Sequence, residues 1–422
     1  MSTQINKILI AAVLAFAGMV SHAAGIQWNV PMHHDWWWNA PEKPQITVCA
    51  ANADTLPARC NVTLSIETDT HHPVTSMSQT AMIAAGDSVN FTFDFNLMPG
   101  FYGCTVTGNG TEVKKFNIGY EPENIVSLPD AQPDFDEFWQ RTLNELAAVA
   151  PKYRLTEDKE KSGNGGKVYV VSMKSLGGVE IKGYLTMPDK ASKSHRLPVV
   201  VHYMGYGSKP WHAEPREDAR CIDFVLSTRG QGLNQPGNQY GEWATYGIGD
   251  REQYYYRGAF MDLIRAVDFV CSLPEADTRY IFAEGGSQGG GFTLVACALD
   301  KRIRAGAPHI PFLNDYPDYL EIATWTADIL AKAGVNSGNR AGLLKMMSYF
   351  DVKNFARRIT CPILMGVGLQ DPTCPPHTNF AGYNLISSQK QFVIYPECGH
   401  TVRQPDWNNR MQEFFGSFVT PQ

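Results

Sequence analysis

The stretch Ile281-Phe-Ala-Glu-Gly-Gly-Ser-Gln-Gly-Gly-Gly-Phe-Thr-Leu294 constrains the fold of this chain more than any other. Residues 280–283 form an apolar run that predicts a buried strand, and residues 292–299 carry the apolar pattern of a helix. Between them, Gly285-Gly-Ser-Gln-Gly289 is a G-x-S-x-G sequence in a strand–turn–helix setting. A serine presented from so sharp a turn sits in a strained backbone, so its neighbours two residues away must lack side chains that would clash. The helix that follows aims its N-terminal N–H groups back at the serine, where they can stabilise negative charge. The plainer alternative is a glycine-rich loop whose serine caps a helix. The partners found downstream favour a nucleophile.

In open α/β sheets of this kind the partners of such a serine follow it in the order acid, then histidine. Asp371 stands just past the apolar run 363–368, and His400 just past the run 392–395. Both are therefore expected at the C-terminal ends of strands, where doubly wound sheets place their chemistry. His309 precedes every candidate acid, and His377 shares a loop with Asp371, so both compete poorly for the role of base. Ser287, Asp371 and His400 are the expected nucleophile, acid and base. Two backbone N–H groups should face the developing oxyanion. One belongs to Gln288, and the other is assigned to Tyr206, because Gly205 and Gly207 let that turn approach a substrate.

The rest of the chain is consistent with that frame. Strand patterns at 167–173, 179–187, 198–203 and 221–227 precede the elbow, and helical patterns occupy 134–150 and 255–271. After the elbow come a strand near 303–308, a long helical region through Lys345, strands at 362–368 and 391–395, and a last helix over about 405–418. Strands alternating with helices predict a mostly parallel sheet covered on both faces, with the elbow on its fifth strand. This is the α/β-hydrolase arrangement.

Residues 24–120 differ in character. Short runs at 45–50, 61–67, 88–95, 103–107 and 114–119, punctuated by Gly, Pro, Asn and Asp, predict a small all-β sandwich of immunoglobulin-like type. Residues 121–133 read as a linker and 134–422 as the catalytic domain. Trp36-Trp37-Trp38 suits either sugar stacking or packing at a domain interface, and packing is favoured. The pairs His33/His34 and His71/His72 have no acidic or thiol ligands at a recognised spacing, and no C-x-x-C is present, so neither a metal nor a cofactor is expected.

Lys7, the apolar run 8–20 and Ser21-His-Ala23 predict a cleaved secretory signal over residues 1–23, too short for a membrane span. The chain has 422 residues and a net charge of −6 with no basic stripe, which argues against a nucleic-acid partner. Nine cysteines leave at least one unpaired. Because Asp371 and His400 must meet, Cys374 and Cys398 could come within disulfide range in an oxidising compartment, or Cys374 could pack as a free thiol.

Arg229-Gly-Gln-Gly232, Gly286-Ser-Gln-Gly289, and Asp371 with Cys374-Pro-Pro376 ahead of Gly399-His400 together resemble carbohydrate esterase family 7. These are acetylxylan esterases and cephalosporin-C deacetylases. Tyr254-Tyr-Tyr-Arg257 and Tyr349-Phe-Asp351 fit the same pattern, and the resemblance covers roughly residues 120 to 420. Thr401 and Cys398 depart from it, standing where the family has an acidic residue and an aromatic. The resemblance implies a serine esterase that removes acetyl groups from sugar or antibiotic hydroxyls, with a small acyl pocket and a small acetylated carbohydrate as substrate. It also implies a homo-oligomer. Two other readings share parts of the sequence: a serine peptidase of the prolyl-oligopeptidase type, and a polysaccharide-binding protein on a hydrolase scaffold. The first would carry a propeller, which about 95 residues of sandwich cannot build.

Overall fold

A computed structural model describes residues 25–420 apart from 324, 325, 327–329, 332 and 337. The expected signal segment, residues 1–23, lies outside the described residues, as does part of the helical region expected before Lys345.

The N-terminal part is all β. Strands β1 (Ile26–Asn29), β2 (Trp37–Trp38), β3 (Gln45–Asn52), β4 (Ala58–Thr68), β5 (Pro73–Ile83), β6 (Ser88–Asp94), β7 (Gly100–Gly108) and β8 (Thr111–Tyr120) form two sheets, ordered β1-β3-β6 and β2-β8-β7-β4-β5. Alternate residues of β3, β4 and β7 point inward, and Val48, Phe91, Val62, Leu64 and Phe116 share one core between the sheets. The sandwich expected from the sequence is present. β5 was not expected: its Pro-Val-Thr-Ser-Met-Ser-Gln-Thr run lies on an edge and buries only Ile83, so burial imposes no apolar alternation on it.

The second part is built on a nine-stranded sheet. Its strands are β9 (Arg154–Glu157), β10 (Gly166–Lys174), β11 (Glu180–Pro188), β12 (Leu197–Tyr203), β13 (Ile222–Ser227), β14 (Ala276–Gly286), β15 (Ile303–His309), β16 (Ile363–Gly368) and β17 (Lys390–Tyr395). Their order is β17-β16-β15-β14-β12-β13-β11-β10-β9, antiparallel from β9 to the β11–β13 pair and parallel from β13 to β17. The elbow strand is β14, the sixth of this sheet in chain order. The expected fifth place is corrected by β9, a four-residue edge strand exposed at every position and so without a hydrophobic signal.

Helices α1 (Phe135–Ala147), α2 (Tyr255–Cys271), α3 (Gln288–Leu299), α4 (Tyr316–Ile322), α5 (Arg340–Met347), α6 (Val352–Ala356), α7 (Pro376–Leu385) and α8 (Gln404–Gly416) cover the sheet. Instead of one long helical region, the described residues between β15 and β16 include the short helices α4, α5 and α6. α7 was missed because Thr378, Asn379, Gly382 and Tyr383, all buried, interrupt the apolar pattern. α3 is apolar all round and buried on nearly every face, as befits a helix between the sheet and other helices.

The two parts meet across an aromatic seam. Trp36 and Trp38 are buried, and Trp37 packs its ring on Phe101 of the sandwich and on Phe380 and Phe392 of the larger part. The packing reading of the tryptophan triplet is the one the structure shows.

Candidate active site

The turn between β14 and α3 holds Ser287 at φ 57 and ψ −121, a conformation that L-residues seldom adopt. Three backbone hydrogen bonds hold it there: its N–H donates to His309 O (3.0 Å), and its C=O accepts from Gly291 (3.1 Å) and Phe312 (2.9 Å). The two glycines flanking it at G-x-S-x-G answer to close packing. A Cβ on Gly289 would lie 2.0 Å from Tyr203 O, and one on Gly285 would lie 2.5 Å from the same oxygen.

β16 and β17 deliver the other two groups. His400 Nε2 lies 3.0 Å from Ser287 Oγ, and its Nδ1 lies 2.9 and 3.1 Å from the two oxygens of Asp371. Asp371 is 2% exposed and accepts the N–H groups of Thr373 (2.8 Å) and Cys374 (2.9 Å), so the carboxylate faces the imidazole in one orientation. Such a chain can pass the serine proton to His400 while the carboxylate stabilises the imidazolium.

Cys374 explains the fate of the expected disulfide. Its thiol points to the Ser287 hydroxyl and lies with the ligand atoms of Asp371 and His400 in one cluster, while burial pushes its pKa well above the usual range. Cys398 packs half-buried against a different apolar group with Trp407 and Val402. Both cysteines are free thiols, and the disulfide alternative is corrected.

Gln288 is the first residue of α3, and its N–H is among those that helix geometry leaves without an intrahelical acceptor. Its side chain is buried and makes a reciprocal amide pair with Gln231 (3.2 and 3.3 Å), while Tyr256 OH donates to its Oε1 (3.1 Å). Gln231 Oε1 also accepts from the N–H of Gly207 (3.1 Å). The turn after β12 is thus tied to the start of α3. Tyr206 lies in that turn. Its ring packs on Trp243, and its hydroxyl accepts from the N–H of Ala244 (3.1 Å), so the side chain anchors the turn and Gly205 faces the cleft. Arg229, of the Arg-Gly-Gln-Gly run, is buried in a fork to Asp262 (2.7 and 3.0 Å). It fixes the loop that carries Gln231.

A cleft of about 970 Å³ opens beside Ser287 and His400 and runs between β12, β14 and α8, with Trp211 and Trp407 on its walls. Its floor holds a polar group that sequence reasoning missed. His202 Nδ1 lies 2.5 Å from Glu284 Oε1, and Nε2 lies 2.8 Å from Asp223 Oδ1. Burial alone would lower the imidazole's pKa, but the two carboxylates raise it to about 10. The signal was available: Glu284 is a charged residue inside an apolar strand that packs on both faces. His309 closes the elbow from the other side, and burial lowers its pKa, so it stays neutral.

Strand order, elbow and cleft define an α/β-hydrolase. Residues 121–417 match the model of the acetyl xylan esterase family (AXE1), and the chain belongs to that family. It is 28% identical over 429 residues to the acetyl esterase Axe7A of Xylanibacter ruminicola, covering 94% of each chain. Among solved structures, an acetyl xylan esterase from a Paenibacillus species superimposes with a TM-score of 0.65 at 29% identity, over 70% of this chain and 98% of that one. Acetyl xylan esterase 1 from a Thermoanaerobacterium species gives 0.64 at 28%, over 71% and 98%. No helix among the described residues is long and apolar enough to cross a membrane.

Proposed function

We propose that this member of the acetyl xylan esterase family is an exported serine esterase that removes acetyl groups from acetylated carbohydrates such as xylan or xylo-oligosaccharides. One observation carries the mechanism: the hydrogen-bonded chain Asp371–His400–Ser287 ends at a serine held in a strained elbow over an open cleft. His400 takes the Ser287 proton as Oγ attacks the acetyl carbonyl. The tetrahedral oxyanion is received by the N–H groups of Gln288 and Tyr206, which the Gln231 amide holds in register. His400 then returns the proton to the leaving sugar hydroxyl, and an acetyl-enzyme forms on Ser287. Water, deprotonated by the same imidazole, releases acetate. These steps use side chains and backbone N–H groups of this chain alone.

Turnover of p-nitrophenyl acetate by Ser287→Ala tests the mechanism. The variant should keep the wild-type melting point and lose about 10⁴- to 10⁶-fold in kcat. A residual tenth of wild-type activity would refute it. Substrate class is tested by comparing acetate with butyrate and octanoate esters, then acetylated xylan with a dipeptidyl p-nitroanilide. A steep fall beyond acetyl and acetate release from xylan are expected. Equal rates on acetate and octanoate, or preferred cleavage of the anilide, would point to another hydrolase.

A further inference from the structure

Behind the acid loop, three segments far apart in sequence bring metal-binding side chains together. Asp315 and Asp318 lie at the start of α4, and His377 lies in the first turn of α7. Each offers one donor atom, and the three atoms lie within 4.8 Å of one another. We propose that Asp315, Asp318 and His377 bind a divalent ion of the zinc class, which clamps the sandwich, α4 and α7 together beside the loop that carries Asp371.

Four observations support the site. His377 Nε2 and Asp318 Oδ2 are 3.2 Å apart, close to the spacing of about 3.3 Å between two ligands held tetrahedrally about 2.0 Å from one ion. On the far side of the ring, His377 Nδ1 lies 2.6 Å from Asp69 Oδ2, in the turn after β4. A metal-ligating histidine characteristically donates its other N–H to a carboxylate, which fixes the tautomer and aims the free lone pair at the ion. Asp315 is 1% exposed, its Oδ1 accepts from Lys353 Nζ (2.8 Å), and its Oδ2 is buried with no hydrogen-bond partner among the described residues. A buried carboxylate oxygen left in that state is costly unless a cation meets it. Asp318, by contrast, is 45% exposed, so an ion can enter from solvent and keep a water as its fourth ligand.

Charge favours the same occupant. The carboxylates of Asp69, Asp315 and Asp318, together with Asp130 and Asp351 beside Lys353, outnumber the cationic side chains packed against them. A divalent ion adds positive charge where that excess is buried. Imidazole nitrogen with two carboxylates suits zinc or manganese better than the all-oxygen shell of calcium or magnesium.

Calorimetric titration of the full chain, stripped with chelator and kept reduced, with zinc alone tests the site. One ion per chain is expected. Asp318→Asn and His377→Gln should each weaken binding at least tenfold, and Asp69→Asn should weaken it about 10- to 100-fold through the ring it orients. Asp318 is exposed enough that its variant should fold normally. Turnover of the ion-free enzyme should match that of Asp318→Asn. Binding of equal strength in wild type, Asp318→Asn and His377→Gln would overturn the proposal, and so would no binding at all. Zinc that binds all three proteins alike and abolishes turnover would place the ion at Asp371, Cys374 and His400, and would also overturn it.

Discussion

Ser287 carries a backbone conformation that costs about 1–3 kcal/mol, and three backbone hydrogen bonds from the β15 end and α3 hold it in place. His202 shows how strongly single groups on the cleft floor depend on pH. Its folded pKa, about 10, lies above the ordinary 6.5, because Glu284 and Asp223 outweigh the cost of burial. A histidine raised in this way stabilises the fold fully below 6.5 and loses that contribution as pH rises towards 10. Urea midpoints of wild type are therefore expected to fall between neutral pH and about pH 10. His202→Gln should start lower and fall less steeply. Parallel slopes for the two proteins would mean that His202 is not held as an imidazolium.

At the scale of elements, the elbow is a contact between β12 and α3 as much as a turn. Gly289 packs so that an added Cβ would strike the Tyr203 carbonyl at 2.0 Å, and neither strand nor helix can yield locally. Gly289→Ala should destabilise the protein by at least about 3 kcal/mol, the upper end of ordinary overpacking. It should also lower turnover, because Tyr203 leads directly into the turn that holds Tyr206. Melting curves and acetate-ester rates measure both, and a variant matching wild type in each would contradict the packing argument. The elements carrying the elbow and Asp371 were legible because each is a buried strand or helix with an unbroken apolar run, and β17, a half-buried edge strand ahead of His400, still carries the apolar run Phe392-Val-Ile-Tyr395. β5 and β9 were not, since these two edge strands leave nearly every position at least partly exposed and burial imposes no apolar pattern on them.

For the molecule as a whole, the aromatic seam makes the sandwich part of the catalytic body. Trp37 sits 5.4 Å from Phe380 and 5.5 Å from Phe392 between ring centroids. Gln370, next to the acid, reaches the sandwich too: its Oε1 accepts from the N–H of Asn117 (2.6 Å). Trp37→Ala should cost about 3 kcal/mol, the low end for a large aromatic because the ring is only half-buried. It should also speed proteolysis within residues 121–133. Loss of xylan affinity with unchanged stability would instead make Trp37 a sugar platform.

The amino-acid sequence alone determined the strand–helix alternation of the hydrolase part, its G-x-S-x-G turn and the chain order in which Ser287, Asp371 and His400 follow one another. These features rest on local apolar periodicity, glycine at tight turns and chain order, which one dimension records. Tertiary structure decided what depends on distance across the chain. Cys374 faces Ser287 instead of Cys398 because the loop after β16 turns its thiol inward. Arg229 finds Asp262, Gln231 finds Gln288, and Asp69 meets His377 only because sheet and sandwich pack as they do. Each is a pairing of polar groups that becomes favourable only once burial has removed water from both partners.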